Sequence, residues 1–359
     1  MKRVHNFSAG PAALPLEVLE IAQKELLDYQ GEGTSIMEQS HRGKSYTRVD
    51  TEAKERLNRI LGLGNKFKIM FLQGGASTQF MQVPYNFLKP EETADYINTG
   101  IWSKKAIKEA KLFGNVHVAY TGEDQNFTRV PADEELNLSG ESRYVHFTSN
   151  NTIYGTQFSS EPDSKGTPLI CDASSDFLSR KIDIDKYGLI YAGAQKNLGP
   201  SGVTVVLIRK DFLETADKKD IPTILNYHTH ADRIFNTPPT FAVYMVNLVL
   251  KWVEEKGGIP YFEKINSQKA DLLYKTIDDD GFYRGIAEVN SRSKMNVTFR
   301  LPSEALEQQF LKEAAEHDLV ALKGHRTIGG IRASIYNACT LESLEILVNF
   351  MNKFRADNG

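Results

Sequence analysis

Short apolar runs alternate with stretches of helical periodicity along most of the chain. Apolar residues recur at helical spacing over 16–29 and stop at Gly31 and Gly33, which predicts a helix there. KIMFL (68–72) predicts a strand; the turn GGAS follows, and a helix is expected from Thr78. Further strands are predicted over 93–97, 116–120, 144–147, 169–171, 189–191 and 203–208, with a helix over 103–112. Their β-branched and aromatic content supports the strand reading. Strands alternating with helices imply an α/β domain built on a mostly parallel sheet.

The texture changes after about residue 260. A long helix is predicted over 261–277, closed by the Asp-Asp-Asp-Gly turn at 278–281. A strand (295–300), a helix (303–317, Ser303 as N-cap), a strand (331–335) and a helix (341–354) follow. This pattern predicts a smaller α+β unit.

At 359 residues, 41% hydrophobic and 25% charged, the chain is long enough for two domains with sizeable cores. A formal net charge of −3 excludes a global basic field, so neither nucleic acid nor an anionic membrane is an expected partner. Two cysteines, Cys171 and Cys339, cannot build a disulfide framework and suit a reducing compartment. The N-terminal stretch lacks the apolar core of a signal peptide, and no segment approaches the roughly 18 apolar residues of a membrane span. A soluble cytoplasmic protein is therefore expected. Neither CxxC nor HExxH occurs, so no metal site is expected.

Five features carry candidate chemistry. In IYAGAQKNLGPSG, Lys196 follows an apolar run and sits among small residues. It is either a surface loop lysine or an amine held at the carboxyl edge of a sheet, where α/β proteins bind ligands. Partial desolvation there would lower its pKa towards that of a nucleophile or proton shuttle. In PLICDASSDF, Asp172 ends another apolar run, 196 − 172 = 24 residues upstream. It is either a turn aspartate or a carboxylate aimed into the same crevice. A Schiff-base lysine with an acidic partner for a pyridinium nitrogen marks pyridoxal phosphate sites. In LQGGASTQF, a small-residue turn enters a helix, either an ordinary tight turn or a phosphate cup. The stretch HRGKS is not a P-loop, because the required glycine is Glu38. Trp102 follows a predicted strand and is either core or a ring to stack on a flat cofactor. Finally, His41-Arg42 and His325-Arg326 are the two His-Arg dipeptides of the chain, with Arg332 close behind. Solvated surface is the plain reading; recognition of a substrate with two anionic ends is the functional one.

Together these residues resemble the class V branch of fold-type I pyridoxal-phosphate aminotransferases. The stretches NFSAGPAALP, SHRGK, LQGGASTQF, NNTIYGT, DASSDFLSRKIDIDKYGLIYAGAQKNLGPSG, FNTPPTF, SRSKMNVTF and LKGHRTIGGIRASIYNA resemble the phosphoserine aminotransferase family within it. They run from residue 6 to 338. The resemblance implies a large α/β domain (16–266) with a seven-stranded-type sheet, and a small α+β domain from 1–15 and 267–359. It implies pyridoxal 5′-phosphate as cofactor, with Lys196 as the Schiff-base amine and Asp172 against the pyridinium nitrogen. Trp102 would stack on the ring and Thr152 would hydrogen-bond the cofactor. The amides of Ala76 and Ser77, with Gln195, would hold its phosphate. Asn236 and Thr237 would reach that phosphate from a second subunit, which makes the expected assembly a homodimer with shared active sites. Arg332 would take the substrate α-carboxylate. His41, Arg42, His325 and Arg326 would take the distal phosphate or carboxylate. Some members carry an arginine in the phosphate loop where this chain has Ser77, so that contact is not carried over.

The implied reaction is O-phospho-L-serine plus 2-oxoglutarate giving 3-phosphohydroxypyruvate plus L-glutamate, reversible and ping-pong, in L-serine biosynthesis. Some members also serve the phosphohydroxythreonine step of pyridoxine biosynthesis. The alternatives are another class V enzyme, of alanine–glyoxylate or cysteine desulfurase type, and a non-catalytic phosphometabolite-binding protein.

Overall fold

The computed structural model describes residues 3–216 and 221–359. Its centre is a seven-stranded sheet. In chain order the strands are β1 (Phe67–Leu72), β2 (Thr93–Asn98), β3 (Asn115–Thr121), β4 (Val145–Thr148), β5 (Leu169–Asp172), β6 (Tyr187–Gly193) and β7 (Thr204–Arg209). They lie side by side as β1-β7-β6-β5-β4-β2-β3. Only β7 runs antiparallel to its neighbours. Strands β4 and β5 are buried at every position, as expected of a sheet covered on both faces.

The two faces alternate along each strand. Val145, Phe147, Leu169, Cys171, Ile190 and Ala192 point to one side, packed with Val49 and Leu57 of α2 (Lys44–Leu61) and Val246 and Leu250 of α5 (Thr240–Glu255). Tyr96, Ile170, Leu189 and Tyr191 point to the other, against Phe80 and Val83 of α3 (Gly75–Phe87) and Ile107 of α4 (Ile101–Ala110). Each fully buried side chain of this size is worth roughly 1.5–3 kcal/mol, so both faces hold the sheet firmly.

A separate apolar core lies in the C-terminal part. A three-stranded sheet, β8 (Arg284–Gly285), β9 (Asn296–Arg300) and β10 (Ile331–Ser334), packs on α7 (Glu304–Glu316) and α8 (Leu341–Asn358). Phe7, from the N-terminus, is buried in that core, and His5–Asn6 pairs in parallel with Leu319–Val320. Helix α6 (Gly258–Ile277) joins the two: Ile259 and Phe262 belong to the first core, Leu273 and Ile277 to the second.

Most predicted elements are present within a few residues. The predicted helix over 16–29 ends sooner, as α1 (Leu16–Lys24), because Asp28 accepts from Gly33 N at 2.7 Å and folds the chain into a turn with Tyr29 buried. Helix α3 starts at Gly75, ahead of the expected Thr78. Ser303 is the N-cap of α7, accepting from Leu306 N at 3.2 Å. Among the described residues, no helix is long and apolar enough to cross a membrane, and no cluster of His, Cys, Asp or Glu suits a metal ion.

Candidate active site

The carboxyl ends of β1, β4, β5 and β6 open on a cavity of ≈ 310 Å³. Its wall begins where β1 ends. Gly74 and Gly75 have φ of +94° and +66°, the left-handed region that side chains disfavour. A Cβ on Gly74 would stand 1.9 Å from Thr78 Oγ1, so only glycine lets the chain turn this tightly into α3. The first turn of α3 then presents Ala76 and Ser77 to the cavity, with its unpaired amides and positive dipole end. Opposite lies Gly193, the last residue of β6, where a Cβ would lie 3.8 Å from Ala76 N.

Asp172 is the last residue of β5, in register with Thr148 of β4 and Tyr191 of β6. Its Oδ1 accepts from Ser174 N (3.0 Å) and Ser174 Oγ (2.6 Å). Ser174 Oγ in turn accepts from Gly193 N at 3.1 Å, which ties β5 to β6 at the cavity floor. No protein group among the described residues bonds to Asp172 Oδ2. Burial raises the Asp172 pKa, against the pull of the Lys196 charge and the Ser174 hydrogen bonds.

Lys196 lies in the loop between β6 and β7. Ala194 N bonds Val203 O (3.0 Å), and Leu198 N and Gly199 N both return to Ala194 O, which curls the loop around the lysine. The N-terminal segment covers it: Ala12 N donates to Gln195 O (2.8 Å), and a Cβ on Gly10 would lie 3.5 Å from Lys196 Cγ. Burial lowers the Lys196 pKa; Asp172 and Asp176 oppose this, and Arg332 adds to it. Its Nζ stands 5.8 Å from the centroid of the Trp102 ring. Trp102 sits in the first turn of α4, and its indole donates to Thr152 Oγ1 at 3.0 Å. The carbonyl of Thr152 accepts from Arg332 Nη1 at 3.1 Å. Arg332 Nε is buried without a protein partner. Burial also lowers the His325 pKa, and the charges that act on it are all cationic: Arg332, Arg326 and Lys105.

The cavity thus gathers Ala76, Ser77, Trp102, Asp172, Gln195 and Lys196. Thr152 and Arg332 join it through the Trp102 hydrogen-bond chain. Three expected pairs lie outside the lining: Asn236–Thr237, His41–Arg42 and His325–Arg326. Asn236 donates to Gln73 Oε1 (2.8 Å), and Gln73 Nε2 donates to the carbonyl of Thr237 (3.1 Å). Asn236 lines a smaller hollow with Tyr46 and Asp50 of α2. His41 and Arg42 precede that same helix; Arg42 is exposed, and His41 Nε2 is buried without a partner. Sequence reading missed Thr148, Asn150, Ser174 and Gly10. For Ser174 a signal existed, since Asp-x-Ser after a strand offers the Asp a local turn bond.

The sequence profile of the class-V aminotransferases matches residues 4–347. The phosphoserine aminotransferase of Niallia circulans is 54% identical over 361 residues, covering 100% of this chain and 99% of its own. That of Bacillus subtilis is 51% identical and covers both chains fully. The solved phosphoserine aminotransferase from Bacillus circulans subsp. alkalophilus superimposes with a TM-score of 0.97 at 53% identity over 100% of both chains. The one from Trichomonas vaginalis, with pyridoxal phosphate bound, superimposes at 0.93 with 40% identity, over 98% of this chain and 100% of its own. The side chains gathered on one cavity and this likeness over the full length agree: the chain belongs to the class-V aminotransferases and, within them, to the phosphoserine aminotransferase family of pyridoxal-phosphate-dependent transaminases.

Proposed function

We propose that the cavity holds pyridoxal 5′-phosphate and that the protein transfers the amino group of O-phospho-L-serine to 2-oxoglutarate. The fit of the cofactor rests on the cavity itself. Thr148 Oγ1 is buried there without a partner, Asp172 Oδ2 is unclaimed, and the left-handed glycines free a helix N-terminus for a phosphate. Ala76, Ser77 and Gln195 would hold that phosphate, Trp102 would cover the ring and Asp172 would face its nitrogen. When bound, the cofactor supplies an electron sink for the carbanion left at the substrate Cα.

The chain supplies the rest. Lys196 would hold the cofactor, and its Nζ, once free, would be the base that takes the proton from the substrate Cα and the acid that gives it back. Burial lowers its pKa, the direction that favours the free amine. Asp172, whose pKa is raised by burial while the Lys196 charge and the Ser174 hydrogen bonds pull it down, would be the carboxyl partner of the ring nitrogen. Arg332 fixes the α-carboxylate, and its unpartnered Nε leaves a donor to do so. The observation that supports the substrate is the cationic field around His325, where Arg332, Arg326 and Lys105 all lower its pKa. Such a group is costly in a free protein and selects a dianion.

We assign the remaining anion contacts to a homodimer. Asn236 and Thr237, given by resemblance to the second subunit, and His41, Arg42, His325 and Arg326, some of which the resemblance gives to it, all lie outside the cavity lining of one chain. We also place the division between the two units inside α6, giving 16–266 and 1–15 with 267–359; the two cores meet on that helix. Both cysteines are buried with raised pKa, Cys339 to about 11, which disfavours the desulfurase alternative. The phosphohydroxythreonine reaction would use the same anion pocket.

The test is a visible absorption spectrum of the cofactor-loaded protein. The expected result is a band bleached by O-phosphoserine, untouched by serine at the same concentration and restored by 2-oxoglutarate. A band indifferent to phosphoserine would reject the substrate while leaving the cofactor in place.

A further inference from the structure

Lys269 is 0% exposed, in the middle of α6. A buried charge is tolerated only when its hydrogen bonds are made. Lys269 Nζ donates to three carbonyls: Ile335 at 2.9 Å, Tyr336 at 2.8 Å and Cys339 at 3.0 Å. An ammonium has three protons to give and no acceptor, so the match is complete. Burial lowers its pKa to about 8, which leaves it charged at neutral pH with all three donors in place.

The carbonyls belong to the turn 335–339, between β10 and α8. That turn reaches Lys196 from two sides. On one, Asn337 N donates to Asn197 Oδ1 at 3.0 Å, and Asn197 is the residue after the lysine. Asn337 is itself held by Asn266 Nδ2 (2.8 Å), from the same helix as Lys269. On the other side, Tyr336 OH donates to Ala9 O at 2.8 Å. The next residue is Gly10, which packs on the Lys196 side chain.

We infer that Lys269 is a positioning residue for the transamination: by clamping the turn 335–339 it fixes the backbone on both flanks of Lys196 and so the direction of its amine. The inference rests on the assignment of Lys196 above. A chain of side-chain-to-backbone hydrogen bonds suits this task, because a shift of about 1 Å at a reacting group can cost about 100-fold in rate. A merely structural lysine would stabilise the C-terminal core without altering the chemistry at residue 196.

The experiment compares wild-type holoenzyme with Lys269→Met, which keeps the length and removes the donors, and with Tyr336→Phe and Asn197→Ala, which cut one branch each. Three quantities are read: the thermal midpoint of the apoprotein, the pH at which the visible band of the holoenzyme changes form, and kcat against KM. For Lys269→Met we expect a displaced pH midpoint and a kcat lowered about 10- to 100-fold, with KM changed far less. The single-branch variants should move the same way by less. A lower thermal midpoint with an unmoved spectrum and unchanged kcat makes the lysine structural and overturns the proposal. Should Lys269→Met fail to fold, the branch variants decide: a moved pH midpoint in either supports the clamp, and wild-type spectra in both overturn it. A wild-type protein that binds pyridoxal phosphate without any visible band would instead remove the Lys196 assignment, and the inference with it.

Discussion

Ser174 Oγ stands 2.6 Å from Asp172 Oδ1 and at the same time accepts the Gly193 amide at 3.1 Å. The carboxylate proposed to face the ring nitrogen is thereby aimed by a side chain that also locks two adjacent strand ends. One of its oxygens is used up inside the protein and the other is left for a ligand.

Replacing Ser174 with Ala should therefore weaken cofactor chemistry without touching the cofactor directly. A charge-assisted hydrogen bond is worth roughly 1.5–3 kcal/mol, about 10- to 100-fold. The backbone bond from Ser174 N survives, so the lower end is expected. Pyridoxal phosphate affinity by titration of the apoprotein, together with kcat, checks it; unchanged values would show that Asp172 needs no aiming.

Lys196→Ala should lose turnover by about 10²- to 10⁴-fold, the range of positioned acid–base catalysis, or more, because the amine is also the proposed covalent anchor of the cofactor. The variant should still bind pyridoxal phosphate through the glycine turn and Asp172, giving a spectrum without the lysine-bound band. Asp172→Ala should cost much of the rate. A rate within a few-fold of wild type would dismiss the role given to the carboxylate.

Arg332→Lys keeps the charge and loses the fork. Arg332 Nη1 holds Thr152 O, and Trp102 holds the Thr152 hydroxyl, so the substitution also slackens the ring-stacking side chain. KM should rise about 10-fold or more for phosphoserine and glutamate alike, since both present the same α-carboxylate. A rise for one substrate alone would move Arg332 to the distal anion pocket.

The sheet was legible because its strands are short, apolar and β-branched, and Lys196 and Asp172 were legible because each ends such a run. Two long helices were not. In α2 the buried Tyr46, Val49, Ala53 and Leu57 keep helical spacing, but twelve of its 18 residues are charged or polar and hide it; in α5 eleven of 16 residues are apolar, which blurs the period. Thr148, and the bond from Ser174 to Gly193, gain their meaning only from the lateral order of the strands, which places β4, β5 and β6 side by side. Lys269 reads as one more surface lysine until the fold buries it. The residues expected from a partner subunit were found by resemblance alone.

That expectation can be checked by mixing two inactive proteins. If Arg42 serves the site of the other subunit, Lys196→Ala and Arg42→Ala homodimers unfolded and refolded together should form hybrids with one intact site. Equal mixing makes half the dimers hybrid, so roughly a quarter of wild-type activity should return. No recovery above the sum of the separate variants, with hybrids demonstrated by a tag, would place Arg42 in the site of its own chain.

The last prediction concerns acid stability. His146 is buried in β4; it stacks on Tyr96 at 4.8 Å, Nε2 is paired with Tyr191 OH at 2.8 Å, and Nδ1 has no partner. Burial carries its pKa from the ordinary 6.5 down to about 3. The unfolded chain therefore binds a proton between these values that the folded chain does not. By linkage, this residue's contribution is fully present above pH 6.5 and falls away as pH drops towards 3, by on the order of a few kcal/mol over the whole span. His146→Gln removes the titration while keeping a polar side chain of similar reach. The variant should be less stable than wild type at pH 7.5, because the buried stack is disturbed, yet lose less stability between pH 7.5 and 5. Urea unfolding at a series of pH values measures this slope. Parallel curves for the two proteins would mean that protonation of His146 is accommodated in the fold, most simply by rotation of the Tyr191 hydroxyl and entry of water to Nδ1, and the buried imidazole would then have no part in the acid limb.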